Sequence, residues 1–394
     1  MVKVNKIKEN IYQFRVIDRE HKNFHGCIFP VIDGSSYGFY LILDEQVTLI
    51  DIIDDIYYDE VYPELAKILN GRKIDNFIVN HVEPDHEGSF ALIMKDNEEA
   101  HVYTSKAGVK AMQEQFFKDY QYQVVSYGDS LKIGKYELLF METPLVHWPD
   151  NMWTYLPAEK ILFSNDAFGQ LIVDDVVYDG ELTQAKLLKY SREYYANIVM
   201  PNNKNVKTLL NKFANINWDI ELICPAHGVM IKDYIKDILA QYTSFANNTI
   251  LKEKKALVVY ESIWGNTKLM ADIIAQELKV NGYEVKTYQL SKSRISEIMD
   301  EMMDTKLLVL GTSNHNNCLL PPVADFLERI KATHYENRNG IVFGSYGWAQ
   351  VPFNDLKTRL AQAGFNILTE PIVVNYTPHL KDEATIKDAL RLVL

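Results

Sequence analysis

The sequence predicts a two-domain α/β protein, with a layered, sheet-rich domain over residues 1–250 and a doubly wound, five-stranded parallel sheet over residues 251–394. Its length of 394 residues exceeds what one ordinary hydrophobic core organises, so two domains are the default expectation. Near residue 250 the apolar pattern changes from short strand-like runs between loops to a regular alternation of strands and helices. Together these observations predict the fold class.

In the first domain, apolar runs at residues 37–43, 47–50 and 77–79 predict short strands that alternate with loops and a few helices. Residues 245–255 then pass from the end of a predicted helix, through a polar Asn-Asn-Thr stretch, into a charged run that is typical of a linker. We therefore place the domain boundary between residues 250 and 251.

The second domain is predicted from a repeated alternation of strand and helix. Strands connected through helices run parallel, because each helix carries the chain back to the end of the sheet at which the preceding strand began. Sheets of this kind bind ligands at the carboxyl ends of their strands. The predicted strands are 256–260, 284–289, 306–311, 340–344 and 367–375, and the predicted helices begin near 267 and then span 293–303, 321–331, 353–364 and 382–394.

Composition excludes several classes of protein. The net charge of -12 without any basic tract predicts no nucleic-acid partner, because phosphate binding relies on clustered Lys and Arg. No apolar run approaches the roughly 20 residues that span a bilayer, and the N-terminus lacks the apolar core of a signal peptide, so we expect no membrane association and a cytoplasmic location. Cys27, Cys224 and Cys318 stand singly, which argues against a disulfide framework, a thiolate zinc site or a built-in rubredoxin module and favours buried or idle thiols.

The first group of chemically informative residues follows the apolar stretch 76–80. His81, Glu83, Asp85 and His86 are four potential metal ligands within six residues. Pro84 favours an extended conformation at Glu83, so His81 and Glu83 can point to one side while Asp85 and His86 turn to another. One loop can thus serve two metals.

Three more potential ligands occur further along the chain. Asp166 and His227 each follow a strand-like apolar run, and His147 follows another after a short connection. Metal and catalytic ligands commonly lie on loops that a rigid sheet holds in place.

In this arrangement the sequence resembles the flavodiiron proteins, whose N-terminal domain is a metallo-β-lactamase-like αββα sandwich. The family's order H-x-E-x-D-H, then His, Asp and His, is matched by the seven residues named above. The resemblance implies one iron bound by His81, Glu83 and His147, a second bound by Asp85, His86 and His227, and Asp166 bridging the two.

The chemistry of this ligand set agrees with iron. Zinc hydrolases of the same fold have a second histidine where Glu83 stands. Three carboxylates and one bridging hydroxide carry four negative charges, which balance two divalent irons and help to retain them when they are oxidised. The resemblance also implies that His25 and Tyr195 lie over the open face of the metals and donate protons or hydrogen bonds there; a structural histidine and a packed helical tyrosine are the alternatives.

A second group of residues follows strand 256–260, where Glu-Ser-Ile-Trp-Gly-Asn-Thr leads directly into a helix. The hydroxyls of Ser262 and Thr267 and the N–H groups at the helix start can bind a phosphate monoester, while Gly265 permits close backbone approach. The loop has no P-loop lysine, so nucleotide triphosphate hydrolysis is not indicated.

Residues 256–394 resemble flavodoxin, which binds FMN. Loops 311–317 and 344–348, after the third and fourth strands, occupy the places of the flavodoxin loops that contact the isoalloxazine ring, and Trp348 is suited to stack on it. The residues expected to bind FMN are Ser262, Ile263, Trp264, Gly265, Asn266, Thr267, Thr312, Ser313, Asn314, His315, Asn316, Asn317, Ser345, Tyr346, Gly347 and Trp348.

A flavin domain and a carboxylate-rich metal pair on one chain provide a source and a sink for electrons. The family resemblance implies reduction of O2 to water, of NO to N2O, or both, with electrons from a separate rubredoxin or similar donor, and a head-to-tail homodimer or a dimer of dimers. Three alternatives stay open: a binuclear zinc hydrolase with a regulatory flavodoxin domain, an electron carrier that uses FMN alone, and a family variant that takes electrons from the reduced deazaflavin F420H2.

Overall fold

The computed structural model describes residues 1–26 and 28–393, so the prediction about Cys27 lies outside the described residues. The chain forms two compact units, Met1–Asn247 and Asn248–Leu394. Within the described residues, none of the helices combines the length and apolar character that crossing a bilayer requires.

The N-terminal unit is built from two sheets. In its described residues, a seven-stranded sheet has the order β1-β2-β5-β6-β7-β8-β9, a five-stranded sheet has the order β10-β11-β12-β13-β14, and β3 pairs with β4 in a small hairpin. The strands are β1 (Val2–Lys8), β2 (Ile11–Asp18), β3 (Asn23–Phe24), β4 (Phe29–Pro30), β5 (Ser35–Leu43), β6 (Val47–Ile50), β7 (Asn76–Ile78), β8 (His101–Thr104), β9 (Gln121–Val124), β10 (Ser130–Lys132), β11 (Glu137–Glu142), β12 (Met152–Leu156), β13 (Ile161–Asn165) and β14 (Leu222–Pro225).

These two sheets pack face to face through one apolar core. Ile42 and Ile50 of the first sheet are fully buried in the same cluster as Phe140 and Phe163 of the second. Burial of apolar surface in this core stabilises the packing of the two sheets, by roughly 25 cal/mol per Å² of apolar area removed from water. The helices of this unit are α1 (Tyr58–Leu69), α2 (Pro84–Glu87), α3 (Phe90–Ile93), α4 (Lys106–Phe116), α5 (Gln184–Tyr194), α6 (Asn203–Phe213) and α7 (Ile235–Ala246).

The C-terminal unit alternates strands and helices along its whole length. Val258, Val309 and Phe343 on three of its strands share a buried cluster with Ile274 and Ile386 on two of its helices. Its elements are β15 (Lys252–Tyr260), α8 (Asn266–Val280), β16 (Glu284–Gln289), α9 (Ile295–Met302), β17 (Thr305–Ser313), α10 (Pro321–Thr333), β18 (Arg338–Tyr346), α11 (Val351–Gln362), β19 (Phe365–Ile367), β20 (Ile372–Asn375) and α12 (Leu380–Arg391).

The parallel sheet of this unit has the order β16-β15-β17-β18-β19, with β20 also paired to β18. Because β19 pairs with the start of β18 and β20 with its end, the two segments occupy one strand position. The predicted last strand at 367–375 is therefore interrupted rather than continuous. Pro371 lies in the gap, where its lack of an N–H group would leave the ladder without a donor.

The charged run before the first predicted strand is itself part of β15, which begins at Lys252 and not at residue 256. Lys255 is buried, and its Nζ lies 2.6 Å from both Glu301 Oε2 and Asp304 Oδ1. Two carboxylates thus compensate a charge that the sequence pattern assigned to a solvated linker, which corrects that part of the prediction.

Candidate functional site

The predicted metal ligands lie on connections that follow strands of both sheets in the N-terminal unit, with Asp85 and His86 in the short helix α2. The 81–86 loop follows β7 of the seven-stranded sheet, whereas His147, Asp166 and His227 follow β11, β13 and β14 of the five-stranded sheet. Glu83 has the extended backbone predicted for a residue before proline, with φ -61° and ψ 142°. The site therefore forms only where the carboxyl ends of strands from the two sheets meet.

Four of these side chains form a first cluster. One ligand atom from each of His81, Glu83, His147 and Asp166 lies within 4.8 Å of the others. Glu83 Oε2 is 3.2 Å from Nε2 of His81 and 3.2 Å from Nε2 of His147. Two imidazole nitrogens and two carboxylates thus face a common point.

A second cluster contains Asp85, His86 and His227, whose ligand atoms also lie within 4.8 Å of one another. Asp85 Oδ1 is 3.3 Å from His86 Nε2, and Asp85 Oδ2 is 3.5 Å from His227 Nε2. His86 therefore points its Nε2 into this cluster alongside the other two residues.

Asp166 connects the two clusters. Its Oδ2 lies 3.2 Å from His147 Nε2 and 3.4 Å from His81 Nε2 in the first cluster. Its Oδ1 lies 3.0 Å from His227 Nε2 and 3.2 Å from His86 Nε2 in the second. One carboxylate that presents a different oxygen to each cluster has the geometry of a bridging ligand.

Hydrogen bonds behind the clusters fix the orientation of two histidines. His81 Nδ1 lies 2.8 Å from Asp150 Oδ2, and His227 Nδ1 lies 2.9 Å from the carbonyl oxygen of Ser36. Both partners are acceptors, so each ring carries its proton on Nδ1 and turns the lone pair of Nε2 towards the clusters. Sequence reasoning missed Asp150, which lies three residues after His147 but contacts His81.

The residue after His227 must be small for this loop to close. Gly228 has φ +91°, and a Cβ built on it would lie 1.7 Å from Oε1 of Gln170. The same Cβ would lie 2.3 Å from the backbone carbonyl oxygen of Gln170, so a larger residue at this position would require the backbone beside His227 to move.

The predicted positions of His25 and Tyr195 have different outcomes. His25 Nε2 lies 3.4 Å from Glu83 Oε1, at the edge of the clusters. The hydroxyl of Tyr195 instead donates to Asn203, and Tyr194 donates to Asp166 Oδ1 at 2.8 Å. Adjacent helical residues point about 100° apart, so only one of the two tyrosines can face the clusters, and the structure replaces Tyr195 with Tyr194.

Electrostatics of the clusters favour a bound cation. Burial lowers the pKa of His86, but the charges of Asp85 and Asp166 outweigh burial and raise it to about 9. Burial raises the pKa of Asp166, yet the positive charge of His86 and the close imidazoles of His147 and His227 hold that pKa well below its usual value. The carboxylates thus stabilise positive charge beside them, and metal ions would take the place of protons on the imidazoles.

Unsatisfied ligand atoms point to the same conclusion. Among the described residues, the buried atoms without a hydrogen-bond partner of good geometry include ligand atoms from both clusters. Buried polar atoms normally find partners, so such a concentration requires a bound group. A pair of oxygen- and nitrogen-coordinated metal ions fits them; the atoms are Asp85 Oδ1, Asp85 Oδ2, His86 Nε2, His147 Nε2, Asp166 Oδ2 and His227 Nε2.

The second candidate site is a cavity of about 310 Å³ in the C-terminal unit, at the carboxyl ends of its strands. Its walls are rich in aromatic and small polar side chains, as a planar aromatic ligand with a polar edge requires. The lining residues are Ile263, Trp264, Asn266, Ser313, Asn314, His315, Asn316, Ser345, Tyr346, Gly347, Trp348 and Tyr376. Every lining residue except Tyr376 belongs to the predicted set.

Thr267 has a different position from the one predicted. Its side chain is buried beneath the loops, with Oγ1 2.8 Å from the hydroxyls of both Ser313 and Ser345. Thr267 therefore connects residues 261–267, here called the phosphate-type loop, to the loops that contain Ser313 and Ser345, and it does not face the cavity. This position corrects the prediction that its hydroxyl binds phosphate directly. Ser262, Gly265, Thr312 and Asn317 also lie outside the cavity lining.

The phosphate-type loop itself keeps room for a ligand. Ser262 Oγ accepts a hydrogen bond from Gly265 N at 3.0 Å, and Gly265 has φ +90° with open space on its Cβ side. No side chain caps helix α8, which starts at Asn266, so the N–H groups of its first turn suit a phosphate. These features fit FMN.

Each of the two units matches a known protein family. A family model described as ODP family beta lactamase matches residues 36–228, and a model described as flavodoxin matches residues 258–387. The nitric oxide reductase of Moorella thermoacetica is 32% identical over 378 residues, which cover 95% of this chain and 94% of that protein.

Solved structures are similar over the full length. Rubredoxin oxygen:oxidoreductase from Desulfovibrio gigas has a TM-score of 0.94 and 31% identity, covering 99% of this chain and 98% of that one. The flavodiiron protein from Giardia intestinalis has a TM-score of 0.91 and 25% identity, covering 100% of this chain and 96% of that one. The predicted metallo-β-lactamase-like and flavodoxin-like folds are thereby confirmed.

Proposed function

Because this chain belongs to the flavodiiron protein family and is an oxidoreductase, we propose that it reduces O2 to water, NO to N2O, or both, at two iron ions in the N-terminal unit. One observation carries the proposal. The two oxygens of Asp166 face two separate clusters of histidine and carboxylate ligands, as a bridge between two metals must.

In this proposal, His81, Glu83 and His147 hold one iron, Asp85, His86 and His227 hold the other, and Asp166 bridges them. Two ferrous ions held by these residues would supply electrons one at a time to a gas molecule. Reduction of one O2 consumes four electrons and four protons and yields two waters. Reduction of two NO consumes two electrons and two protons and yields one N2O and one water.

The surrounding side chains order the ligands and move protons. Asp150 and the Ser36 carbonyl hold His81 and His227 with Nε2 directed into the clusters. Tyr194 donates to Asp166 and restrains the bridging carboxylate. His25, at the edge of the clusters and partly open to solvent, is placed to pass protons inwards through its two ring nitrogens.

Electrons enter through the C-terminal unit. Its cavity and phosphate-type loop are proposed to hold FMN, which accepts electron pairs and releases electrons singly. A separate rubredoxin or a similar small carrier is the proposed donor. The proposed assembly is a head-to-tail homodimer in which the flavin of one subunit serves the metals of its partner.

Metal and flavin analysis of protein purified without oxygen tests this function. We expect two irons and one FMN per chain, together with steady consumption of NO, O2 or both when a reduced rubredoxin is supplied. Separate rate measurements with each gas determine the preference. Two zincs per chain with no gas reduction would instead favour a hydrolase, and FMN without metal would favour an electron carrier.

The contact between Asp150 and His81 leads to a second prediction. Asp150→Ala should weaken Fe(II) binding by about 10–100-fold, the usual cost of removing a hydrogen-bond partner behind a metal ligand. Competition with a chromophoric chelator under argon measures the change. Asp150→Asn keeps a carbonyl oxygen for the N–H of Val82 and should lose less affinity; equal affinity of the wild-type protein and Asp150→Ala would show that His81 does not need this partner.

A further inference from the structure

Residues 375–377, which are the last residue of β20 and the first two residues of its connection to α12, place Tyr376 in a wall of the cavity that the flavodoxin-like motifs do not include. Tyr376 lines the cavity together with residues of the three predicted loops. Tyr376 directly follows β20, which pairs with the end of β18. The sheet topology therefore brings Tyr376 to the carboxyl ends of the strands, where the other loops lie.

Hydrogen bonds attach this connection to two of the predicted flavin loops. Asn375 Nδ2 donates to the carbonyl oxygens of both Tyr346 and Gly347, and the backbone N–H of Tyr376 donates to the carbonyl oxygen of Tyr346 at 2.7 Å. Thr377 Oγ1 donates to Asn266 Oδ1 at 3.2 Å, at the start of α8. Residues 375–377 thus link the 344–348 loop to the phosphate-type loop.

The backbone and ring of Tyr376 have an arrangement that packing alone does not require. Its φ is +56°, a left-handed conformation that is uncommon for an aromatic residue. A Cβ built on Gly347 would lie 3.4 Å from Cε1 of Tyr376, so the ring rests against the backbone of that loop. Even so, 59% of the residue stays exposed, which leaves ring surface available to a ligand.

We propose that Tyr376 is a further FMN-binding residue that closes the cavity between the phosphate-type loop and the 344–348 loop. Its ring adds an aromatic surface to the wall that Trp348 and Tyr346 begin, and planar aromatic rings stabilise one another by offset or edge contact. With this backbone conformation the ring of Tyr376 lies against Gly347 of the 344–348 loop. This inference rests on the proposed FMN site.

The test compares FMN binding by apoprotein variants. Tyr376→Asn removes the ring but keeps a residue type that tolerates a left-handed backbone. Loss of an aromatic contact of this kind should raise the FMN dissociation constant about tenfold, measured by quenching of flavin fluorescence. The visible absorption bands of bound FMN should also shift, a change that a purely structural role would not cause. Tyr376→Phe keeps the ring and should bind nearly as the wild-type protein does.

Phe117→Asn is the matched control, because Phe117 is also an aromatic residue at positive φ, 50°, is 89% exposed, and lies in the N-terminal unit. Its FMN dissociation constant should equal that of the wild-type protein. If Tyr376→Asn binds FMN within twofold of wild type with an unchanged spectrum, the inference is wrong. If the wild-type protein itself does not bind FMN, the proposed function is wrong, and this inference is rejected together with it. Circular dichroism and iron content of each variant separate a binding defect from misfolding.

Discussion

An Asp166→Ala variant should lose both irons and all measurable gas reduction while it keeps FMN. Asp166 is the residue whose oxygens face both clusters, so its removal takes a ligand from each metal at once. Loss of a hydrogen-bond partner behind a metal ligand costs about 10–100-fold in affinity, and loss of a shared ligand should exceed the upper end of that range. Metal analysis, flavin absorbance and NO and O2 consumption measure the three expected results.

The control is Asp175→Ala, which removes an exposed aspartate that pairs with Lys3 and Arg19 on the surface of the same unit. It should keep two irons and full activity, because surface ion pairs contribute about 1 kcal/mol or less. Retention of both irons by Asp166→Ala would contradict the bridging assignment. Simultaneous loss of FMN would indicate general misfolding.

Thr267→Val should weaken FMN binding but leave the irons in place. The two side chains have the same shape, but valine leaves the hydroxyls of Ser313 and Ser345 without their common partner. An unsatisfied buried polar group costs about 1–3 kcal/mol, so FMN affinity should fall by about tenfold to a hundredfold as the three loops lose their fixed spacing. Flavin retained after gel filtration and the dissociation constant of the apoprotein measure the effect.

Thr333→Val provides the comparison, since Thr333 is also a buried threonine whose hydroxyl bonds within the same unit, to the carbonyl oxygen of Arg329 on its own helix. It should lower thermal stability slightly without any change in flavin affinity. Equal FMN retention by the two valine variants would show that the hydroxyl contacts of Thr267 have no part in holding the cofactor.

Local sequence patterns were sufficient for the C-terminal sheet. Three of the predicted strands there, 256–260, 306–311 and 340–344, contain continuous apolar runs between helical segments, and the crossover rule then gives the parallel arrangement. The early start of β15 at Lys252 was not predicted, because it depends on the carboxylates that lie beside the buried Lys255. The interruption of the last strand was also not predicted, although Pro371 is a local signal against a continuous strand.

For the two clusters of metal-ligand side chains, residue type and order predicted the site, because these residues follow strands whose carboxyl ends lie close together. The residues that act through those ligands were harder to find. Asp150 is one acidic residue among many until the fold brings it to His81, and the choice between Tyr194 and Tyr195 depends on the rotation of one helix. Tyr376 carries no motif at all, since its place in the cavity follows from the pairing of β20 with β18.

Because the 81–86 loop follows a strand of one sheet and the loops bearing His147, Asp166 and His227 follow strands of the other, bound cations would act as a non-covalent cross-link between the two layers of the N-terminal unit. An ion that binds the native chain and not the unfolded one stabilises it in proportion to the logarithm of its free concentration. A shortage of the metal that fills the site would increase the unfolded fraction of the chain, which proteases can attack. The supply of the metal would then set the amount of enzyme as well as its activity.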